Sequence, residues 1–137
     1  MMKVFATREE LGTEESVPLH AVTAAGFERF LSALSPNIAL WLKATGFAGR
    51  EGDLVFVPGE GGGLSAVILG LGAGRDPHAL ALFSERLPHG FYTLGNVPDA
   101  FSGARAAYAW AIGAYNFNRY RTGAAATSKK YPILVLD

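Results

Sequence analysis

The residues able to do chemistry are few and scattered. The three histidines are His20, His78 and His89. None has a second histidine or a carboxylate at helical metal-ligand spacing, and no H-E-x-x-H occurs. Ordinary surface positions account for them better than roles as ligands or bases. The paired carboxylates, Glu9-Glu10 and Glu14-Glu15, are adjacent in the chain. Adjacent side chains diverge, so these make poor acid–base dyads, and a solvated segment is the expectation. No G-x-S-x-G elbow is present, and no serine stands in an activating context. The absence of cysteine excludes thiolate catalysis, disulfides and thiolate-bound metals. No residue is therefore assigned as catalytic, as cofactor-binding or as a metal ligand.

The glycines come nearest to a binding motif. A dinucleotide fingerprint needs G-x-G-x-x-G/A between a strand and a helix, so that backbone amides and the helix N-terminus meet a pyrophosphate. Gly70 and Gly72 follow a strand-like run and precede a helix-like one, but Arg75 stands at the third position. Gly61, Gly63 and Ala66 keep the spacing and lead into a strand instead, and no G-K-[S/T] exists. A tight hairpin and a strand-to-helix turn explain these glycines. Anion binding where a helix starts at Asp76 is a second reading, opposed by the charge of Asp76 itself. Arg119, Arg121, Lys129 and Lys130 are interleaved with Phe117, Tyr120 and Tyr131, a mixture that suits single-stranded nucleic acid. Arg119 and Arg121 equally suit a helix C-terminus, where positive charge complements open carbonyls. Twelve basic residues balance twelve acidic ones. The chain then has no long-range field, and neither a nucleic-acid nor a membrane partner is expected.

Any such group has to be positioned by alternating strands and helices. With 137 residues, half of them hydrophobic, the chain suits one domain with a real core. Residues 3–6 and 17–22 read as strands. Over 23–34, Phe27, Phe30, Leu31 and Leu34 recur at helical spacing. Ser35-Pro36 is a cap and first-turn proline for a second helix carrying Ile38, Trp41, Leu42 and Thr45, with Gly46 at its end. Residues 54–57 and 64–71 are apolar runs around a glycine turn, hence a hairpin. Asp76-Pro77 repeats the helix start ahead of Leu80, Phe83 and Leu87, and Pro88 stops it. A short strand follows at 91–94. A long helix is expected over 98–120, apolar over so much of its surface (Phe101, Ala104, Tyr108, Ala111, Tyr115; Ala107, Trp110, Ala114, Phe117) that it should be largely buried. Trp41 and Trp110 are expected in the core. Residues 123–130 resemble a linker, and Pro132-Ile133-Leu134-Val135-Leu136 a last strand. This order predicts an α/β sandwich around a mixed sheet, the hairpin supplying an antiparallel pair. No apolar run approaches the ~20 residues of a membrane span. Arg8, Glu9 and Glu10 interrupt any secretory core, so a cytoplasmic protein is expected.

Four patterns, in order, carry a family resemblance. They are Gly46-Phe47-x-Gly49-Arg50-x-Gly52-Asp53-Leu54 running into Val57-Pro58; Ala66-Val67-Ile68-Leu69-Gly70-Leu71-Gly72; Leu87-Pro88-x-Gly90-x-Tyr92; and Trp110-x-Ile112-Gly113-Ala114-Tyr115-x-Phe117-x-Arg119-Tyr120. From about residue 18 to 120 the chain resembles the N-terminal domain of the leucyl (cytosol) aminopeptidase family, in a bacterial branch where that domain is shortened.

The resemblance implies a macro-domain-like, three-layer α/β fold, its mixed sheet flanked by helices. It implies a domain over 1–122, with 123–137 a linker and last strand leading toward a catalytic domain. The family's catalysis lies in that C-terminal domain. There two divalent metal ions, zinc or manganese, activate a water. The motif N-T-D-A-E-G-R that carries part of that site does not occur here, and no catalytic or metal-binding residue carries over. By itself this chain is expected to be no enzyme, the full-length protein a metallo-aminopeptidase. The implied role is packing against the peptidase domain, support of a homo-oligomer (hexamers in the family) and access to the active site. A free-standing macro-like module binding a nucleotide or ADP-ribose type ligand at 59–63 and 70–74 is the alternative.

Overall fold

The structure, a computed structural model, describes residues 4–59, 63–119 and 132–136, with the backbone alone along 116–119. The chain runs β1 (Phe5–Thr7), α1 (Arg8–Leu11), β2 (Val17–Thr23), α2 (Phe27–Ala33), α3 (Pro36–Thr45), β3 (Leu54–Pro58), β4 (Leu64–Gly72), α4 (Ala81–Arg86), β5 (Gly90–Leu94), a 3-10 turn (Asp99–Phe101), α5 (Ala104–Arg119) and β6 (Pro132–Leu136). The strands make one six-stranded sheet in the order β1-β6-β5-β2-β4-β3. Every pair is parallel except β3–β4, the hairpin expected from the sequence. The last strand takes an interior place, between β1 and β5.

Period-two alternation explains the layers. Along β4, Val67, Leu69 and Leu71 join one core cluster with Leu80, Phe83, Ala106, Ala109 and Trp110. Ala66 and Ile68 join another with Phe30, Leu42 and Phe47. β4 is buried on both faces, which is why it reads as a continuous apolar run. The result is an α/β fold with helices on both sides of a mixed sheet.

The start and stop signals of α3 act as expected. Ser35 is the N-cap residue, Pro36 opens the helix and Gly46 ends it at φ 76°, in the left-handed region open to glycine. The Phe47 N–H then closes on the Leu42 carbonyl at 3.1 Å, and both side chains are buried.

Other expectations are corrected. The helix expected over 23–34 starts at Phe27, because the Thr23 hydroxyl accepts the Gly26 N–H at 3.0 Å and turns the chain first. The helix expected from Asp76 starts at Ala81. The Asp76 carboxylate instead accepts the His78 N–H at 2.9 Å, an Asx turn that competes with helix. The long helix expected over 98–120 is split, with the 3-10 turn ending before Gly103, which lies at φ 62°. A short helix, α1, stands where a solvated segment was expected. Its capping box is reciprocal: Thr7 Oγ1 accepts the Glu10 N–H at 3.1 Å, and Glu10 Oε1 accepts the Thr7 N–H at 3.2 Å. The signal was T-x-x-E at 7–10.

Candidate functional site: the glycine crossing and the switch-point crevice

Two places collect the residues that the sequence singled out. The first is the end of β4. The chain at 49–53 crosses it backbone to backbone. Gly52 N–H donates to the Gly70 carbonyl at 3.1 Å, Gly70 N–H to Asp53 at 2.7 Å, and Gly72 N–H to Gly49 at 2.8 Å. A Cβ at Gly70 would collide with the backbone carbonyl of Arg50. Gly70 and Gly72 are therefore glycines because another loop lies on them. A phosphate would have to displace that loop. Arg50 and Asp53, in this loop, form an exposed ion pair at 3.2 Å.

The second place is the topological switch point. From β2 the chain proceeds towards β4, and from β5 it proceeds towards β6, so the connections diverge between the neighbours β2 and β5. Open α/β sheets bind ligands at the carboxyl ends of such strands. A cleft of about 360 Å³ lies there, with Val22, Thr23, Arg29, Phe30, Asn96 and Pro98 among its walls. Its nearby donors already have partners. The Gly26 N–H goes to Thr23 Oγ1, the Ala24 N–H to the Gly72 carbonyl at 2.9 Å, and the Asn96 N–H to His20 Nδ1 at 2.8 Å. The crevice has the position of a ligand site without free backbone donors at these three amides. The glycine-loop alternative finds no support in either place.

His20 is the main site-level correction. It was expected at the surface. It is half-buried, its ring lies 5.7 Å from that of Phe30, and burial lowers its pKa from the usual 6.5. The other two histidines are exposed. The His78 ring lies 5.5 Å from that of Tyr108. No sequence motif pointed to His20, because its partner lies 76 residues away. Among the described residues, no group of three or more histidines and carboxylates could hold a metal ion. The donors on the page do not fit a two-metal centre. Arg119 has only its backbone described, and Arg121, Lys129 and Lys130 lie outside the described residues.

The exposed aromatics are elsewhere. Trp41, expected in the core, is 40% exposed and donates its indole N–H to the Phe56 carbonyl of β3 at 3.2 Å. It borders a groove of about 730 Å³ that also takes in Ile38, Val57 and Leu64. On α5, expected to be largely buried, Tyr108 and Tyr115 are 62% and 61% exposed. The stripe through Trp110 and Ala114 faces the sheet instead.

The M17 aminopeptidase N-terminal domain model matches residues 17–136, nearly the whole sheet. The chain belongs to that family. Its fold is shared with the cytosol aminopeptidase of Coxiella burnetii, at 25% identity and a TM-score of 0.70, over 90% of this chain and 27% of that one. A tomato leucine aminopeptidase variant shares it at 15% identity and a TM-score of 0.61, over 100% of this chain and 32% of that one. This M17 domain thus spans between a quarter and a third of the length of the solved aminopeptidases it matches. No curated protein matches it. No helix among the described residues is long and apolar enough to cross a membrane.

Proposed function

We propose that this chain is the non-catalytic N-terminal domain of a cytoplasmic, metal-dependent leucyl aminopeptidase, which removes N-terminal amino acids from peptides. The observation that carries the reading is coverage: 90% of this chain superposes on 27% of a cytosol aminopeptidase, with a family model specific to the N-terminal domain behind it. The catalytic domain, with two divalent ions (zinc or manganese), accounts for the remaining length. In this reading the domain occupies 1–122, and the segment 123–137 carries the last strand of the macro-like sheet and leads to the catalytic domain. Its role is to pack against that domain, to support a homo-oligomer, a hexamer as in the family, and to shape access to the active site.

The side chains agree with a supporting role. His20 is held by a backbone amide, and Asp53 by Arg50. Two measurements test the reading. The polypeptide in its own cells should have an intact mass several-fold above 14.5 kDa. The 137-residue chain alone should not release leucine from a leucyl anilide with zinc or manganese. A native mass of 14.5 kDa, or robust metal-dependent release, would overturn it.

A further inference from the structure

We propose that His20 is a proton-sensitive latch, closing the turn after β5 onto β2 at the switch point of the sheet. The parallel ladder between these strands pairs Val17 with Tyr92 and Leu19 with Leu94. It continues into the turn through the Gly95 N–H on the Leu19 carbonyl at 2.7 Å and the Ala21 N–H on the Asn96 carbonyl at 2.9 Å. The Asn96 N–H bonds instead to a side chain, the Nδ1 of His20, at 2.8 Å. An imidazole nitrogen accepts a hydrogen bond only when it carries no proton, so the closed turn requires neutral His20 with its proton on Nε2. Gly95 belongs to the same device: a Cβ there would stand 2.5 Å from His20 Cε1. Any larger residue would push the ring off the Asn96 amide.

Protonation at Nδ1 would set two donors against each other and free the turn. Asn96 and Pro98 form one wall of the switch-point cleft, and the turn leads directly to the 3-10 segment and α5. Release of the latch therefore opens the cleft from its β5 side. The charged residues on the elements around the ring are Glu28 and Arg29 of α2 and Asp99 beyond the turn, all exposed. Burial is what holds the imidazole below its usual 6.5. The sign follows. The folded pKa lies below the unfolded one, so the latch contributes fully above pH 6.5. Its contribution is lost as pH falls from 6.5 through the folded pKa. The inference is independent of the aminopeptidase reading, since it concerns only contacts inside this domain.

The test is an NMR titration of the 137-residue chain, following the His20 ring and the Asn96 amide together. The ring should titrate below 6.5, with the Nε2–H tautomer above its midpoint. Exchange of the Asn96 amide, corrected for its intrinsic pH dependence, should rise by up to about tenfold per pH unit between the two pKa values. The Gly52 and Gly72 amides of the glycine crossing should keep their protection over that window. His20→Gln, which retains an acceptor but does not titrate, should remove the pH step while the chain stays folded. An Asn96 amide indifferent to the ring's protonation, a ring midpoint at or above 6.5, or an unchanged pH step in His20→Gln would each overturn the proposal.

Discussion

The two faces of the sheet hold similar apolar side chains but are closed differently. On the α4/α5 face the helices touch backbone to backbone. A Cβ at Gly113 would collide with the Ala81 carbonyl and the Ser84 hydroxyl. Ser84, fully buried, donates to the Trp110 carbonyl at 2.7 Å. Trp110 is 1% exposed, its ring 6.2 Å from that of Tyr92. On the α2/α3 face, α3 buries Leu42 and leaves Leu40 at 64% exposure, with Trp41 partly out and lying along the edge strand β3. Close approach of two helices requires a small residue and a buried partner at the crossing. Where neither is present, large apolar groups remain at the rim. Trp41 still has a use there: its indole N–H occupies an edge carbonyl, and Pro58 on the same strand offers no N–H, so the edge is a poor template for pairing.

The contrast breaks most severely at Gly113. Gly113→Ala forces α4 and α5 apart, and urea unfolding should show a loss of about 3 kcal/mol or more. A loss under about 1 kcal/mol would mean that the helices separate freely and that the contrast between the faces is false. Tyr92→Phe comes next. It removes a hydroxyl that donates to the Pro88 carbonyl at 2.8 Å, and should cost about 1 kcal/mol. The same hydroxyl gives a signature in alkali. Burial pushes Tyr92 up to about 12 from 10.0, so its contribution is complete below pH 10 and declines as pH rises toward 12. Denaturation midpoints should fall more steeply over that window in the wild type than in Tyr92→Phe, and equal slopes would assign the alkaline loss to other groups. The smallest effect belongs to the open face. Leu40→Ser should change stability by no more than about 0.5 kcal/mol in the monomer. A loss above about 2 kcal/mol would show that the outer side of α3 is covered in solution, which sedimentation would then reveal.

Local signals were legible where one short segment carried both the requirement and its answer. Ser35-Pro36 and Gly46 bounded α3, and the glycine turn announced the β3–β4 hairpin. The family patterns pointed to a domain of the right kind, and the M17 model confirmed it over 17–136. The failures share a cause. Trp41 and Trp110 both sit on apolar helical stripes, and nothing local tells the rim from the core. Asp76-Pro77 has the form of a helix start, but the Asp76 carboxylate found the His78 amide first. Tyr108 and Tyr115 follow helical spacing as well as Trp110 does, yet α5 turns them outward.

By itself, then, the sequence determined the alternation of strands and helices, the hairpin, the limits of α3 and the family. These depend on backbone propensity, capping and apolar periodicity, which act over a few residues. Only the tertiary structure decided why Gly70, Gly95 and Gly113 carry no side chain, and what His20 does. Each answer lies in a loop, turn or helix brought against it from elsewhere in the chain, and contact across such separations leaves no local periodicity to read.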